Sequence, residues 1–267
     1  MAVTRLVDEA VVAAWDAVSA AYQARYAIPT GEIHLGPMVP SPRELGIGFD
    51  VAGRQVLDFG CGGGQNAIAC ALSGASRVVA VDPSERQLGL ARVLAAEAGA
   101  SVEFLKLGDR GVSGLPGDFD LVLSVYALQF VADARTALRD LARQLRIGGL
   151  LIVSVDHPVR LSGEWRGNAF IVENYFARGW QAWPYDFPEA GIQVEMRRFR
   201  RSTQEWVSAV LAAPLILRGL YEPLPAMVPD SFARRSKYGL NDPRNVFTRE
   251  HLERVPGSLI LVAERVS

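Results

Sequence analysis

Val56-Leu57-Asp58-Phe59 runs directly into Gly60-Cys61-Gly62-Gly63-Gly64. An apolar strand that delivers a glycine run, with a helix following at once, is where open α/β sheets bind ligands. Glycine lets the backbone turn sharply and approach a ligand with no Cβ in between. No Lys-Ser/Thr follows the run, so it is not a P-loop, and Gly-x-Gly-x-Gly departs from the Gly-x-Gly-x-x-Gly of dinucleotide sites. Asp58 would repel a pyrophosphate but suits a ligand that carries an ammonium group. Asp82, 22 residues beyond Gly60 at the end of a second apolar run, is placed to accept both hydroxyls of a ribose. Gly108-Asp109 closes a third run, and its carboxylate could accept from an exocyclic adenine amine. Each acid alone reads equally well as a turn or cap residue, as Asp82 before Pro83-Ser84 illustrates. Together, at successive strand ends, they point to a nucleoside-type ligand with an ammonium group.

Three histidines offer acid–base chemistry. His157, in Asp156-His157-Pro158, follows the fifth apolar run at the same edge of the sheet, and its ordinary pKa suits a base or an acceptor-orienting group. The alternative is a turn histidine bonded to backbone. His34 lies in a Gly/Pro-rich loop that reaches the acceptor only if the loop closes, and His251 in a polar terminal helix reads as surface. Tyr22 and Tyr26 are four residues apart, hence on one helical face. They are candidate catalytic side chains of a lid, with core packing as the alternative; Trp15 reads as packing.

The positioning elements follow from periodicity. Residues 5–26 show helical spacing, and 28–42 is a loop dense in Pro and Gly. Strands are expected at 54–60, 77–82, 101–107, 120–126 and 149–156, with helices over 65–75, 84–98 and 132–145. Strands that are nearly all apolar and alternate with helices indicate a parallel sheet covered on both faces. After Asp156 the pattern changes to an aromatic-rich stretch over 165–187, which contains Trp165, Tyr175 and Trp183 and could wall a flat acceptor pocket. A strand over 192–200, a helix over 203–213 and strands over 215–223 and 258–266 complete the chain. The expected organisation is an N-terminal lid and loop (1–50), a cofactor core (51–156), an acceptor-binding insertion (157–202) and a closing helix and strand pair (203–267).

Composition limits the partners. The chain has 267 residues, a formal charge of −1, 49% hydrophobic and 21% charged residues, which excludes a disordered chain. Near-neutrality argues against a nucleic-acid partner. The clusters Arg197–Arg201 and Arg234-Arg235 read as solvated faces, and only Lys106 and Lys237 of the 28 basic residues are lysine. Two cysteines nine apart make neither a disulfide framework nor a zinc site, and no metal is expected. No segment reads as membrane-spanning or as a signal peptide, so a cytoplasmic protein, monomer or homodimer, is expected.

These motifs resemble those of the class I S-adenosylmethionine-dependent methyltransferases, in particular their small-molecule, natural-product branch. VLDFGCGGG, VVAVDPS, LKLGD, DFDLVLSVYALQFV and LRIGGLLIVSVDHP are similar to the successive motifs of that family over about residues 10–160, and the C-terminal FRRSTQEWVSAVLAA and FTREHLERVPGSLILVAER are similar to its closing elements. The resemblance implies a Rossmann-like, doubly wound, seven-stranded, mostly parallel α/β sheet. It implies that Gly60, Gly62 and Gly64, with Cys61, line the methionine part of the cofactor, and that Asp58 orients the loop or receives the ammonium. Asp82 and Pro83 would hold the ribose, with Ser84 and Gln87 adding polar contacts and Gly108-Asp109 meeting the adenine. Ser124 would offer its carbonyl, and Tyr126 would face the methyl and the acceptor beside His34 and His157. Relatives often carry His-Arg-Thr where this chain has Arg200-Arg201-Ser202-Thr203, which removes one histidine from the acceptor side.

The implied activity is methyl transfer to a small, largely apolar or aromatic acceptor (N-, O- or C-methylation, of an indole-type or phenolic scaffold), with S-adenosylhomocysteine as product. A nucleic-acid methyltransferase would show Asn/Asp-Pro-Pro-Tyr/Phe where Ser124-Val125-Tyr126-Ala127 stands. A non-catalytic cofactor-binding interaction module is the third possibility.

Overall fold

The computed structural model describes residues 6–108, 111–227 and 248–267. Asp109 and the Arg234-Arg235 pair lie outside the described residues.

Five strands form the parallel part of the central sheet: β1 (Gln55–Phe59), β2 (Arg77–Asp82), β3 (Glu103–Lys106), β4 (Phe119–Val125) and β5 (Leu145–Asp156). Helices α2 (Gln65–Leu72), α3 (Glu85–Ala98) and α4 (Ala134–Gln144) connect them. β10 (Leu215–Tyr221) and β11 (Ser258–Arg265) complete seven strands in the order β10-β11-β5-β4-β1-β2-β3, with β11 antiparallel to both neighbours. The strand order reverses between β1 and β4, and ligands of such sheets bind beyond the carboxyl ends at that point.

Side chains alternate between the two sheet faces, so each strand feeds two cores. Leu57, Phe59, Val79, Val81, Val122, Leu151 and Val153 pack with Leu138, Leu141, Trp206 and Val210 of α4 and α5 (Thr203–Leu211). Val56, Val78, Ala80, Leu121, Leu123 and Ile152 pack with Ala67, Cys70, Leu88 and the loop residues Ile33, Leu35 and Ile47. Asp58 and Asp82 share the parity of this second face, where burial forces each carboxylate to find a partner or change its charge.

The N-terminal helix α1 (Glu9–Tyr26) is capped by Asp8, whose side chain accepts from the N–H of Ala10, and it ends at Ala27 in the left-handed conformation. It packs on α3 and on β9 (Ile192–Arg200). The aromatic stretch is more ordered than its sequence suggests. It holds two antiparallel hairpins, β6 (Gly163–Arg166) with β7 (Ala169–Val172), and β8 (Gly179–Phe187) with β9. The strand expected over 192–200 is therefore half of a hairpin that lies apart from the main sheet. Its Met196, with Phe187, joins Val11, Ala14, Val18, Tyr26 and Phe130 in a separate small core.

No helix of the described residues is long and apolar enough to cross a membrane. Among the described residues no group of three His, Cys, Asp or Glu side chains is arranged to hold a metal.

Candidate active site

A cavity of about 720 Å³ opens at the carboxyl ends of β1, β2 and β4, roofed by α1 and the β8–β9 hairpin. Its floor is the glycine loop. Gly60, Gly62 and Gly64 all adopt left-handed φ (72°, 52° and 78°). The N–H groups of Gly60 and Cys61 both donate to the carbonyl of Val81, which ties the loop to the end of β2 (2.8 and 3.1 Å). A Cβ on Gly60 would overlap that of Ala127, whereas one on Gly62 would meet nothing within 4 Å. Gly62 thus leaves open cradle space, and Gly60 admits the loop after β4.

Gly64 is a correction to the expected lining. It caps α2, and a Cβ there would press on Phe104 and Ala91 at 2.9 and 3.0 Å, so its bareness serves packing of the loop against β3 and α3.

Two buried carboxylates flank the loop. Asp82 accepts from the N–H groups of Gly62 (2.9 Å) and Ser84 (2.8 Å), which aims its oxygens along the crevice. Burial lifts its carboxyl to about 6, against the pull of those donors. Asp58 is 2% exposed, and its Oδ2 has no hydrogen-bond partner. Burial, reinforced by the charge of Asp82, pushes the Asp58 carboxyl up to about 7. An unpartnered buried acceptor facing a cavity requires a donor. A ligand ammonium meets that requirement, and a diol suits the remaining lone pairs of Asp82. The donor set therefore fits S-adenosylmethionine, which Asp58, Asp82 and the loop backbone would hold. Cys61, Pro83, Ser84 and Gln87 share the lining, as does Leu107 in place of the exposed Gly108.

The sequence did not single out the residues with which α1 closes the crevice. Asp16 accepts from the Ser84 hydroxyl at 2.5 Å. Gln23 donates to Gln87 (3.1 Å) and accepts from Gln65 (2.6 Å). Asp16 and Gln23 are seven residues apart, two turns and one face, and that spacing was the available signal.

The expected acceptor-side residues divide. His34, Tyr22, Tyr26, Tyr126 and Trp183 line the cavity. Burial pushes the His34 imidazole down to about 4, so it is neutral at physiological pH. Tyr22 is held above the ordinary phenol range by burial and by the Tyr26 and Tyr126 phenols, so it serves as a hydrogen-bond donor and not as a base. Tyr126 adopts a left-handed φ of 56° and bonds Ser258 Oγ at 2.7 Å, which fixes its ring at the junction of the two halves of the cavity.

Ser124, Trp165, Tyr175 and His157 do not line it. Ser124 is buried within β4, paired with Val153, and the following Val125 and Tyr126 reach the cavity instead. Trp165 stacks on His251, ring centroids 4.1 Å apart, and this buries a histidine expected at the surface. The Tyr175 hydroxyl accepts from the N–H of Thr203 (3.1 Å) at the start of α5. His157 is 1% exposed: its Nε2 meets Glu222 Oε1 at 2.7 Å, and its Nδ1 accepts from the N–H of Val159 at 3.2 Å. With Nδ1 accepting, the proton sits on Nε2 and is donated to Glu222. Burial lowers the imidazole pKa despite that carboxylate. This geometry ties the end of β5 to the segment after β10 and gives His157 no contact with the cavity.

Replacing His157 by alanine should therefore destabilise the fold while leaving ligand affinity intact. The loss of two partly buried hydrogen bonds predicts a cost of roughly 1–3 kcal/mol. At roughly 2–4 °C per kcal/mol, the midpoint of thermal unfolding drops by several degrees. Affinity for S-adenosylhomocysteine by calorimetry should stay within about twofold; a normal melting curve with abolished turnover would restore His157 as a base.

Arg198 corrects the reading of 197–201 as a solvated face. It lines the cavity, with its guanidinium over the ring of Trp183 at 4.4 Å. Arg200 donates to the Asn174 carbonyl and side-chain oxygen, both at 2.9 Å, and Arg201 to the carbonyls of Val131 and Ala132. Arg197 is half-buried as well, paired with Asp8 and set over the ring of Trp180 at 4.8 Å.

Sheet order, glycine cradle and paired carboxylates together define the class I S-adenosylmethionine-dependent methyltransferase architecture. Residues 56–149 match the family described as a methyltransferase domain. The chain is similar to the ubiquinone biosynthesis O-methyltransferase of Rhizobium johnstonii, 38% identical over 102 residues that cover 38% of this chain and 41% of that protein. A Pseudomonas aeruginosa protein of the same name is 35% identical over 105 residues, covering 39% and 45%. The match thus spans about two fifths of the length of these curated relatives. Among solved structures, an S-adenosylmethionine-dependent methyltransferase from Mesorhizobium loti has a TM-score of 0.63 at 23% identity, covering 84% of this chain and 96% of that one. The [4+2]-cyclase SpnF has a TM-score of 0.62 at 18% identity, covering 98% and 97%. These likenesses concern the fold.

Proposed function

We propose that this chain is an enzyme that moves the methyl group of S-adenosylmethionine to a small aromatic acceptor. The observation that carries the proposal is the pair of buried carboxylates, Asp58 with its unpartnered Oδ2 and Asp82, flanking an open glycine cradle. When bound, the cofactor supplies a methyl already activated on a sulfonium. The protein's tasks are then alignment and exclusion of water, and alignment alone can be worth roughly 7–11 kcal/mol.

Asp58 and Asp82 fix the two ends of the cofactor, while Asp16 and Gln23 hold α1 across the crevice. Trp15, Tyr22, Phe130, Trp183 and Tyr185 wall the acceptor half with rings, a lining suited to a flat apolar molecule with few polar groups. The acceptor's nucleophilic atom takes the methyl with its own electron pair. Any proton it sheds leaves through hydrogen bonds to cavity groups such as His34, whose burial keeps it an available acceptor. The relatives named O-methyltransferases support oxygen as the receiving atom.

Methyl-labelled S-adenosylmethionine incubated with hydroxyaryl and indole acceptors tests the proposal. The expected result is S-adenosylhomocysteine formed one-for-one with a labelled product. A protein that binds neither S-adenosylmethionine nor S-adenosylhomocysteine by calorimetry would refute it.

A further inference from the structure

The acceptor half of the cavity contains a charge cluster that methyl transfer does not require. Asp156, the last residue of β5, is buried; it pairs with Arg160 and accepts from Arg198 Nη1 at 2.9 Å. Gln129 holds the same carboxylate, donating to its Oδ2 at 3.1 Å and accepting the N–H of Asp156 at 2.8 Å. Arg160 also donates to the carbonyl of Gly257, and Arg198 Nε to Gln181 Oε1 at 3.1 Å. The two arginine side chains are only 11% and 17% exposed, yet both line the cavity.

Two guanidiniums against one carboxylate leave a single positive charge in an apolar chamber. The other acids of the lining, Glu32, Glu44, Asp58 and Asp82, belong to the N-terminal loop and the glycine crevice. Burial lowers both guanidiniums to about 10, so both stay charged at neutral pH. The bonds to Gln181 and Asp156 use Nε and Nη1 of Arg198 and leave its Nη2 without a protein partner among the described residues. An uncompensated buried charge is costly unless a ligand neutralises it, and a guanidinium edge matches an oxyanion in shape as well as charge.

We infer that the acceptor is an aromatic monoanion whose carboxylate, or another singly charged oxyanion, docks on Arg198 and Arg160 while its ring lies against Trp183. A dianion would overcompensate the cluster, and a neutral ring would leave it charged. The inference rests on the methyl-transfer reading and narrows its substrate class.

Two fluorescent probes of similar shape test it on the protein saturated with S-adenosylhomocysteine: 8-anilinonaphthalene-1-sulfonate, a monoanion, and neutral N-phenyl-1-naphthylamine. The sulfonate should bind saturably and about tenfold or more tightly than the neutral probe, the scale of one charged hydrogen bond. R198Q should remove most of that preference and R198K part of it, while D156N, which raises the cluster charge, should increase it. A residue with a merely structural role would not shift the preference in opposite directions. The inference is overturned if wild type binds the two probes equally, or binds neither, or if R198Q and D156N leave the ratio unchanged. Should R198Q fail to fold, the opposed shifts of R198K and D156N decide alone. If S-adenosylhomocysteine itself does not bind, the methyl-transfer reading fails instead, and the same probe ratio measured without it still judges the anion site.

Discussion

Asp82→Ala is expected to weaken S-adenosylhomocysteine binding by at least a hundredfold while leaving the free protein folded. Asp82 does two things at once. Its oxygens accept from the Gly62 and Ser84 N–H groups, holding the glycine loop to the end of β2, and they face the crevice where a ribose diol would donate. Hydrogen bonds to a charged acceptor are worth about 1.5–3 kcal/mol each, so two lost from the ligand exceed about 3 kcal/mol before any loosening of the loop is counted. The cost to the fold is smaller, because deleting the side chain also removes the burial penalty that lifts this carboxyl to about 6. Titration calorimetry checks the affinity. Thermal unfolding with and without ligand checks the split: the melting temperature of the free variant should stay close to wild type, and the ligand-induced rise should disappear. An affinity within a few fold of wild type would remove Asp82 from the site. Asp82→Asn should behave almost as badly, since an amide nitrogen would meet the Gly62 or Ser84 N–H donor to donor.

The cofactor half of this site was legible because its geometry is local. A carboxylate that ends an apolar strand is carried to the edge of a parallel sheet whatever the rest of the chain does, so Asp58, Asp82 and the glycine loop could be placed from spacing alone. Gly64 shows the limit of that logic: its left-handed turn was readable, but Phe104 and Ala91, which make a Cβ intolerable, come from other elements.

The acceptor half is made by contacts remote in sequence, and there the sequence misled. His157 does follow β5, but Glu222, 65 residues later, turns its ring away from the cavity. Trp165 belongs to a hairpin that docks on His251 of the short helix α6 (Arg249–Leu252) instead of on the site. The alternation of β9 marked it as a strand, yet in a two-stranded hairpin either face can be wet. Only packing against α1 decides that Met196 and Arg198 turn inward. Arg160, four residues beyond Asp156, carried a faint signal of pairing and none of burial.

Affinity for S-adenosylhomocysteine should rise steeply with pH, and Asp58 should be the chief cause. In the free protein burial and the neighbouring Asp82 hold the Asp58 carboxyl at about 7, and burial holds Asp82 at about 6. An ammonium opposite Asp58 favours the ionised form, so binding must expel the proton wherever the free protein carries one. Between pH 7.5 and 5 that linkage weakens binding roughly a hundredfold through Asp58, with about a further tenfold through Asp82.

Stability of the free protein runs the other way. Both carboxyls titrate higher in the fold than the ordinary carboxylate value of 3.8. Their contribution is therefore complete below about pH 4 and lost as pH rises through 6 and 7, at roughly 1.4 kcal/mol per pKa unit. Ligand stabilisation, measured as the difference in melting temperature between loaded and free protein, should thus grow from pH 5 to 7.5. Asp58→Asn separates the two effects. It removes a buried charge, so the free variant should melt higher than wild type at pH 7.5; it also removes the ammonium's partner, so the variant should bind weakly with a much flatter pH dependence. A wild-type affinity that does not change with pH, or an Asp58→Asn variant that keeps the wild-type slope, would show that the unpartnered oxygen at the end of β1 faces something other than a cation. If both predicted effects are observed, Asp58 costs the fold stability at the pH where it serves the ligand, as expected of a site residue and not of a core one.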